Sequence, residues 1–397
     1  MKFKVEMSLD RMRVGKISTP HGSFETPVFI PCATAGAIRC LDVRDLKEIG
    51  VKVVLVNTYH IHVKPGDEVV KRLGGIHKFI GFDGVIITDS GGFQAFSLGL
   101  GLEHGVGKIA NNIFLEGLRK DVKLREKKFA HVSGEGITFK DPKTGKIVNL
   151  TPKKAMEIQS NLGSDIIYAL DECTSPLSDK EYTEKAMERT HRWAEECLKY
   201  YDRKQALFGI VQGGEYKDLR ERSAKFMAEK DFAGYGIGGS LGKSKQDMLN
   251  VIDCVVPLLP EEKPRHLLGI GAIEDLFNCV ERGIDMFDCV TPTREARRGH
   301  VFVDPEDGGN MRNKFRLNIK NSEFKFDEKP ISKNCECFVC QTYSRAYLRH
   351  LYKSNELLFF RLASYHNVYF IIDLMEKIRD SIRDCSFYKL KETWLGR

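Results

Sequence analysis

The sequence predicts an α/β fold, a closed (β/α)8 (TIM) barrel with a segment inserted after its third strand and a metal-binding C-terminal subdomain. Three observations lead there. Eight short runs rich in β-branched or apolar residues recur, amphipathic stretches of helical length fill most of the intervals, and a tight cysteine cluster follows the last run. Near-continuous hydrophobicity is what parallel strands need when both faces are covered, and eight such strands alternating with helices favour a closed barrel over an open doubly wound sheet.

In order, the runs are "VFIPCAT" from Val28, "VVLVNTYH" from Val53, "GVIITDSGG" from Gly84, "DIIYALDECT" from Asp165, "LFGIVQGG" from Leu207, "GYGIGGS" from Gly234, "HLLGIG" from His266 and "DMFDCVTP" from Asp285. Among the helical stretches, "TPKKAMEIQSNLGS" opens with Thr151 as cap and Pro152 at the first helical position, and lays Ala155, Ile158 and Leu162 along one side. "KEYTEKAMERTHRWAEECLKYYD", "YKDLRERSAKFMAEKD" and "KSKQDMLNVIDCVVPLLP" supply further amphipathic segments. Two parts stand outside this rhythm. After the third run comes a long lysine-, arginine- and glycine-rich interval, with an insertion near 99–132, expected as a small helical excursion near the barrel mouth or a mobile loop whose charge fits a nucleic-acid contact. The other is 301–397, a second domain beside the barrel domain 1–300.

Bulk properties narrow the function classes. With 62 basic against 55 acidic residues the net charge is +7, which permits a nucleic-acid partner without demanding one. The N-terminal "MKFKVEMSLDRMRVGK" lacks the apolar core of a signal peptide, and no window approaches the roughly 20 apolar residues of a membrane span, so a soluble, cytoplasmic protein is expected. Cys32, Cys173, Cys254 and Cys289 stand singly in apolar surroundings and read as small buried hydrophobes.

Polar side chains at the C-terminal ends of barrel strands share one mouth, where catalysis sits. The ends here offer Asn57, His60, Asp89, Ser90, Asp171, Glu172, Gln212, Gly238, Gly239 and Asp288. That ring is rich in carboxylates and poor in histidine, unlike a divalent-metal hydrolase, and there is no Gly-x-Ser-x-Gly elbow, Walker loop or dinucleotide-binding turn. Separated carboxylates equip a chain for glycosidic-bond chemistry, one attacking the anomeric carbon and the other moving a proton to and from the leaving group. Asp288, fixed by an apolar strand, suits the nucleophile, and Asp89, before two glycines, suits the acid/base; spacing alone does not decide which attacks, and either could instead be a turn former. Asp171, Gln212 and the peptide groups at Gly238 and Gly239 match the donor and acceptor edge of a purine-like heterocycle. Tyr59 or Phe93 could stack on such a base, with core packing as the competing role.

"CECFVC" supplies Cys335, Cys337 and Cys340. Three thiolates and one imidazole close a tetrahedral, structural zinc site, with His366 and His350 as competing fourth ligands. Arg345 and Arg349 lie close by, and Arg294, Arg297 and Arg298 follow Asp288 in "PTREARRGH"; these forks suit phosphates, a solvated charged face being the alternative.

Together the motifs "TPVFIPCAT", "NTYH", "TDSGGFQAFSL", "EGITFKDP", "LTPKKAMEIQ", "DIIYALDECT", "LFGIVQGG", "GIGGS", "DMFDCVTPTREAR" and "CECFVC…YSRAYLRHL…HN" resemble the queuine/pre-queuosine-type tRNA-guanine transglycosylases over nearly the whole chain. The resemblance implies a barrel enzyme with one structural zinc per chain that exchanges guanine in the wobble position of a tRNA anticodon for a 7-deazaguanine. It implies Asp288 as nucleophile forming a covalent ribosyl link, Asp89 as general acid/base, and Ser90, Phe93 and Gln94 lining the base pocket with Phe93 stacked on the purine. Asp171, Gln212 and Gly239 would read the base edge, and His366 becomes the fourth zinc ligand. Members commonly form homodimers through the zinc region, or pair with a related non-catalytic chain; a non-catalytic tRNA-binding subunit is the alternative function. One stretch departs from the pattern: where the family has the type "GGLxVGE", this chain reads "GGSLGKSK", with Gly242 and with Lys243 in place of a glutamate, which disfavours a cationic 7-substituent.

Overall fold

A computed structural model describes residues 1–93, 130–140 and 145–396. The chain opens with an antiparallel meander of β1 (Lys2–Leu9), β2 (Met12–Thr19) and β3 (Gly22–Thr26). Its first strand alternates exposed and half-buried residues, as the charge alternation of "KFKVEMSL" requires, while Ile17 and Phe24 are buried among the lower residues of the barrel interior.

The eight barrel strands are β4 (Val28–Pro31), β5 (Val53–Val56), β6 (Val85–Thr88), β10 (Ile166–Tyr168), β11 (Ala206–Val211), β12 (Gly234–Ile237), β13 (Arg265–Leu267) and β14 (Met286–Cys289). They form one parallel sheet in the order β4-β14-β13-β12-β11-β10-β6-β5. A parallel bridge between Cys32 and Leu55, with Ala33 N donating to Leu55 O at 2.7 Å, joins the two edges and closes the barrel. Every one of the eight predicted runs is a barrel strand.

The predicted helices form, and three of the four start at a side-chain cap, Lys217–Ala228 being the exception. Thr151 Oγ1 accepts from Lys154 N ahead of Pro152–Leu162, Ser244 and Asp247 form a reciprocal capping box at the head of Lys245–Val255, and Lys180–Tyr200 starts at Asp179. In the interval after the third barrel strand, strands are found among the described residues. Residues 130–140 and 147–150 contribute a three-stranded antiparallel sheet of β7 (Ala130–Val132), β8 (Ile137–Lys140) and β9 (Ile147–Leu150), whose Phe139 packs against Tyr59 with ring centroids 5.2 Å apart. The rest of the expected insertion, 99–129, lies outside the described residues, as does Gln94.

Beyond β14, the hairpin of β15 (His300–Phe302) and β16 (Arg316–Asn318) is followed by helices Phe338–Thr342, Arg345–Lys353, Leu357–Arg383 and Phe387–Leu395. A division at 300/301 falls inside β15. Leu357–Arg383 is the long one; it packs on the helix Thr291–Arg297 and on β4. Fully buried Asn367 stitches the junction, accepting from Phe302 N at 2.9 Å and donating to Pro292 O and His300 O, both at 3.0 Å. Among the described residues no helix is long and apolar enough to cross a membrane.

Candidate active site and metal centre

Asp288 is the penultimate residue of β14, a strand held in register by neighbours on both sides, so its side chain enters the mouth with little freedom. It is 9% exposed. Its Oδ1 accepts from Gly269 N at 2.8 Å and stands 3.2 Å from His266 Nε2; its Oδ2 lies 3.6 Å from the Cys32 thiol. Asp89, just past β6, accepts from Asn57 Nδ2 at 2.6 Å and from Thr58 N at 2.8 Å, while the Thr58 hydroxyl donates to its backbone carbonyl. These donors orient both carboxylates.

The two acids stand at the C-terminal ends of β6 and β14 and so share the mouth of one barrel. Burial and then the charge of the adjacent Asp288 push the Cys32 thiol well up, so it stays protonated beside that carboxylate.

A second group surrounds Asp171. Its Oδ1 accepts from the Ser90 hydroxyl at 3.1 Å, and its Oδ2 from Gln212 Nε2 at 2.7 Å. The amide is thereby aligned, and Gln212 Oε1 is buried with no hydrogen-bond partner among the described residues. An acceptor left in that state costs free energy until an N–H reaches it, which is what a bound heterocycle edge supplies. Gly239 has φ +74°, and a Cβ there would stand 1.9 Å from Gln212 Oε1, so only glycine fits. Gly238 is likewise tight, its Cβ position 2.7 Å from Ile210 Cγ2. Phe93 is half-buried beside Ser90 in the chain. Tyr59 is 4% exposed and packed on Phe139, which settles it as core.

Glu172, another strand-end carboxylate, faces away from this chemistry: Arg189 grips it at 2.6 and 3.0 Å and the Tyr182 hydroxyl donates at 2.7 Å. Sequence reasoning missed Arg220. Fully buried, it donates to Gly214 O, Val211 O, Gly238 O and Ser240 O at 2.6 to 2.9 Å, tying together the loops that carry Gln212 and Gly239. Burial lowers it to about 10. Its only sequence signal is an arginine in a helix otherwise read as amphipathic.

The expected phosphate-binding arginines separate. Arg297 and Arg298 are exposed and Arg294 half-buried at the end of the helix that follows Asp288. Desolvation is the main cause that depresses Arg297, and the like charges of Arg39, Arg294 and Arg298 add to it against an opposing contribution from Cys40. Arg349 is half-buried and donates to Asn321 O at 2.8 Å. Arg345 requires a correction: at 8% exposure it donates to Ile331 O at 2.8 Å and pairs with Asp327 at 3.2 Å, so it braces the fold and offers no fork to an RNA phosphate.

At the C-terminal end the zinc ligands converge. Cys335, Cys337 and Cys340 place their sulfurs 3.8, 3.4 and 3.4 Å from His366 Nδ1, close to the roughly 3.5 Å edge of a zinc tetrahedron. Nε2 of His366 is 2.8 Å from Phe302 O, which orients the ring. All four are buried, so the residues fit a closed structural zinc; His350 is exposed on its helix. Another cluster, His21, His77 and Asp165, lies at the opposite end of the barrel. Its two imidazoles are stacked 3.6 Å apart and 19° from parallel, so no single ion can lie in both ring planes; each instead engages its own oxygen of Asp165, at 2.8 and 3.0 Å.

Comparison with known proteins agrees with this geometry. The family model described as queuine tRNA-ribosyltransferase matches residues 9–397. A Bacillus subtilis queuine tRNA-ribosyltransferase is 44% identical over 100% of this chain and 95% of its own, and one from Fusobacterium nucleatum is 44% identical over 100% and 97%. An Archaeoglobus fulgidus protein, provisionally named as a queuine tRNA-ribosyltransferase, is 72% identical over 100% of this chain and 99% of its own.

Proposed function

Since the chain belongs to the queuine tRNA-ribosyltransferase family and is a tRNA-guanine transglycosylase, we propose that it exchanges the anticodon wobble guanine for a 7-deazaguanine through a ribosyl ester on Asp288. One observation carries the mechanism: Asp288, accepting from Gly269 N, and Asp89, accepting from Asn57 Nδ2 and Thr58 N, stand at the C-terminal ends of strands of the same closed parallel barrel.

In the first half, an Asp288 oxygen attacks C1′ of the flipped nucleotide as the bond to N9 breaks, and Asp89 protonates the departing guanine. In the second half the incoming base attacks C1′, the ester bond returns its electron pair to Asp288, and Asp89 takes the proton. Two inversions retain the configuration. Asp171, Gln212, Gly238 and Gly239 read the base edge, Ser90 orients Asp171, and Phe93 stacks on the purine, with Gln94 proposed beside it from the sequence motif. Arg294, Arg297, Arg298 and Arg349 are proposed to hold the RNA backbone; the mutual repulsion around Arg297 supports a polyanion there. Lys243 reaches Glu215 at 3.2 Å on the rim, and the incoming base is proposed to lack a small cationic 7-arm, to be tested by competition among queuine, pre-queuosine base and guanine. A homodimer or a mixed pair, and action in the cytoplasm, belong to the same proposal.

The deciding experiment follows radiolabelled guanine out of tRNA while probing for a denaturant-stable RNA–protein adduct. Wild type is expected to show both and Asp288→Asn neither; adduct formation by Asp288→Asn would overturn the nucleophile. Zinc supplies only scaffold rigidity here. Chelation is therefore expected to lower the melting temperature and tRNA affinity together, with metal analysis of reduced protein showing about one zinc per chain.

A further inference from the structure

Two polar side chains inside the barrel have no part in the chemistry described so far. Tyr168, the last residue of β10, and His266, in the middle of β13, are 1% and 0% exposed in an otherwise apolar interior. Phenylalanine and leucine would fill that space without the cost of desolvating a hydroxyl and an imidazole. Strands β11 and β12 lie between the two residues, yet the Tyr168 hydroxyl reaches to 2.6 Å from His266 Nδ1. It passes over Gly236 of β12, where a Cβ would stand 3.1 Å from Tyr168 Cε1. On its other side, His266 presents Nε2 to Asp288 Oδ1 at 3.2 Å, in an alignment too poor for a full hydrogen bond. Such contacts tighten when substrate is bound.

The neighbours determine the tautomer. Burial and the Asp288 charge raise the Tyr168 hydroxyl well above its ordinary value, so it keeps its proton and donates it to Nδ1. The imidazole proton then sits on Nε2, facing the carboxylate; the other tautomer would set two lone pairs against each other.

We propose that His266, oriented by Tyr168, is a positioning residue for Asp288, holding Oδ1 together with the Gly269 N–H and stabilising the carboxylate as it leaves the ribose. This rests on the nucleophile reading above. Its effect falls on the second half of the exchange: N9 of the incoming base attacks C1′, the C1′–O bond breaks, its electron pair returns to Asp288, and the N9 proton passes to Asp89. A hydrogen bond to a carboxylate strengthens as negative charge returns, so losing the donor slows discharge of the ester more than its formation.

The test uses full-length zinc-loaded enzyme and end-labelled tRNA. The adduct is formed, freed of released guanine and chased with unlabelled guanine, and its decay is followed under denaturing quench. His266→Leu is expected to slow decay about 10- to 100-fold with KM for tRNA within about threefold of wild type. His266→Gln carries an amide N–H toward the Nε2 position and is expected to restore decay to within about threefold of wild type. Tyr168→Phe, nearly isosteric and so protective of the fold, is expected to slow decay about threefold or more by freeing the tautomer. Wild-type decay in His266→Leu or in Tyr168→Phe, or a His266→Gln as slow as His266→Leu, overturns the inference. Asp288→Asn separates the two levels: an adduct that persists in it defeats the nucleophile reading, whereas an adduct lost in it beside normal decay in His266→Leu defeats the positioning role alone.

Discussion

The two ends of the barrel hold their carboxylates by different means. Asp285 and Asp288 sit on the same segment around β14, one at each end. At the N-terminal end Asp285, fully buried, takes the Arg13 guanidinium at 2.8 and 2.5 Å and the Arg265 N–H at 2.7 Å, while Asp165 takes two imidazoles and the Ile86 N–H. At the C-terminal end the partners of Asp89, Asp171 and Asp288 include amides, a hydroxyl, peptide N–H groups, a thiol and the His266 imidazole, none of which is a guanidinium. A cation beside a carboxylate lowers its basicity and ties it up; a neutral donor aims it and leaves the charge available. The same residue type thus serves as rivet at one end and reagent at the other, as the polarity of the barrel demands.

The contrast is sharpened most by removing charge at the mouth. Asp288→Asn is expected to lower kcat by about 10³-fold or more with the melting temperature nearly unchanged, because the asparagine keeps shape and acceptor but cannot form the ester. Asp89→Asn should cost less, on the order of 10²-fold, since only proton transfer is lost and the nucleophile remains. Single-turnover kinetics beside thermal melts checks both. A large loss of stability in either would mean that the mouth is riveted too, and would break the distinction.

At the other end the expectation reverses. Arg13→Met leaves Asp285 charged, buried and deprived of its fork, and should cost about 3–5 kcal/mol of stability while the folded fraction keeps its kcat. Denaturant unfolding monitored alongside activity below the transition measures both quantities on one sample. A kcat falling in step with stability at low temperature would count against the division of labour.

Much of this arrangement was legible before any coordinates, for identifiable reasons. The barrel strands announce themselves because both faces are covered, and Asp89, Asp171 and Asp288 because each directly follows or ends such a run. Cys335, Cys337 and Cys340 are close in sequence, but choosing His366 over His350 needed the family resemblance; the fold then shows His366 buried against the thiols and His350 exposed. The sheet of β7, β8 and β9 was hidden because strands of three or four residues in a lysine- and glycine-rich stretch show too few alternations to register. Arg220 was hidden because its partners are backbone carbonyls, which no side-chain pattern reveals. Arg345 was misread because its partners, Asp327 and Ile331 O, lie upstream in the chain where no local pattern reveals them; one turn on, on the same face of the helix, Arg349 is only half-buried and donates to Asn321 O.

The smallest expected effect is a pH dependence confined to the riveted end. Burial works against the charge on Asp165, but hydrogen bonds from His77, the Ile86 N–H and His21 outweigh it and hold the carboxyl at about 2. A carboxyl depressed in the folded state contributes stability that is complete above its unfolded value near 4 and disappears as pH falls through about 2. Asp165→Asn should therefore lose about 1–2 kcal/mol near neutrality and show a flatter decline in stability between about pH 4 and 2 than wild type. Urea unfolding midpoints across that range read the slope directly. Because the stacked imidazoles bind the carboxylate and not one another, His77→Gln, which keeps a single amide donor toward Asp165, should retain more of the acid dependence than Asp165→Asn. Equal slopes in the two variants would instead place the acid sensitivity in the histidine stack, and the carboxylate would no longer be the rivet.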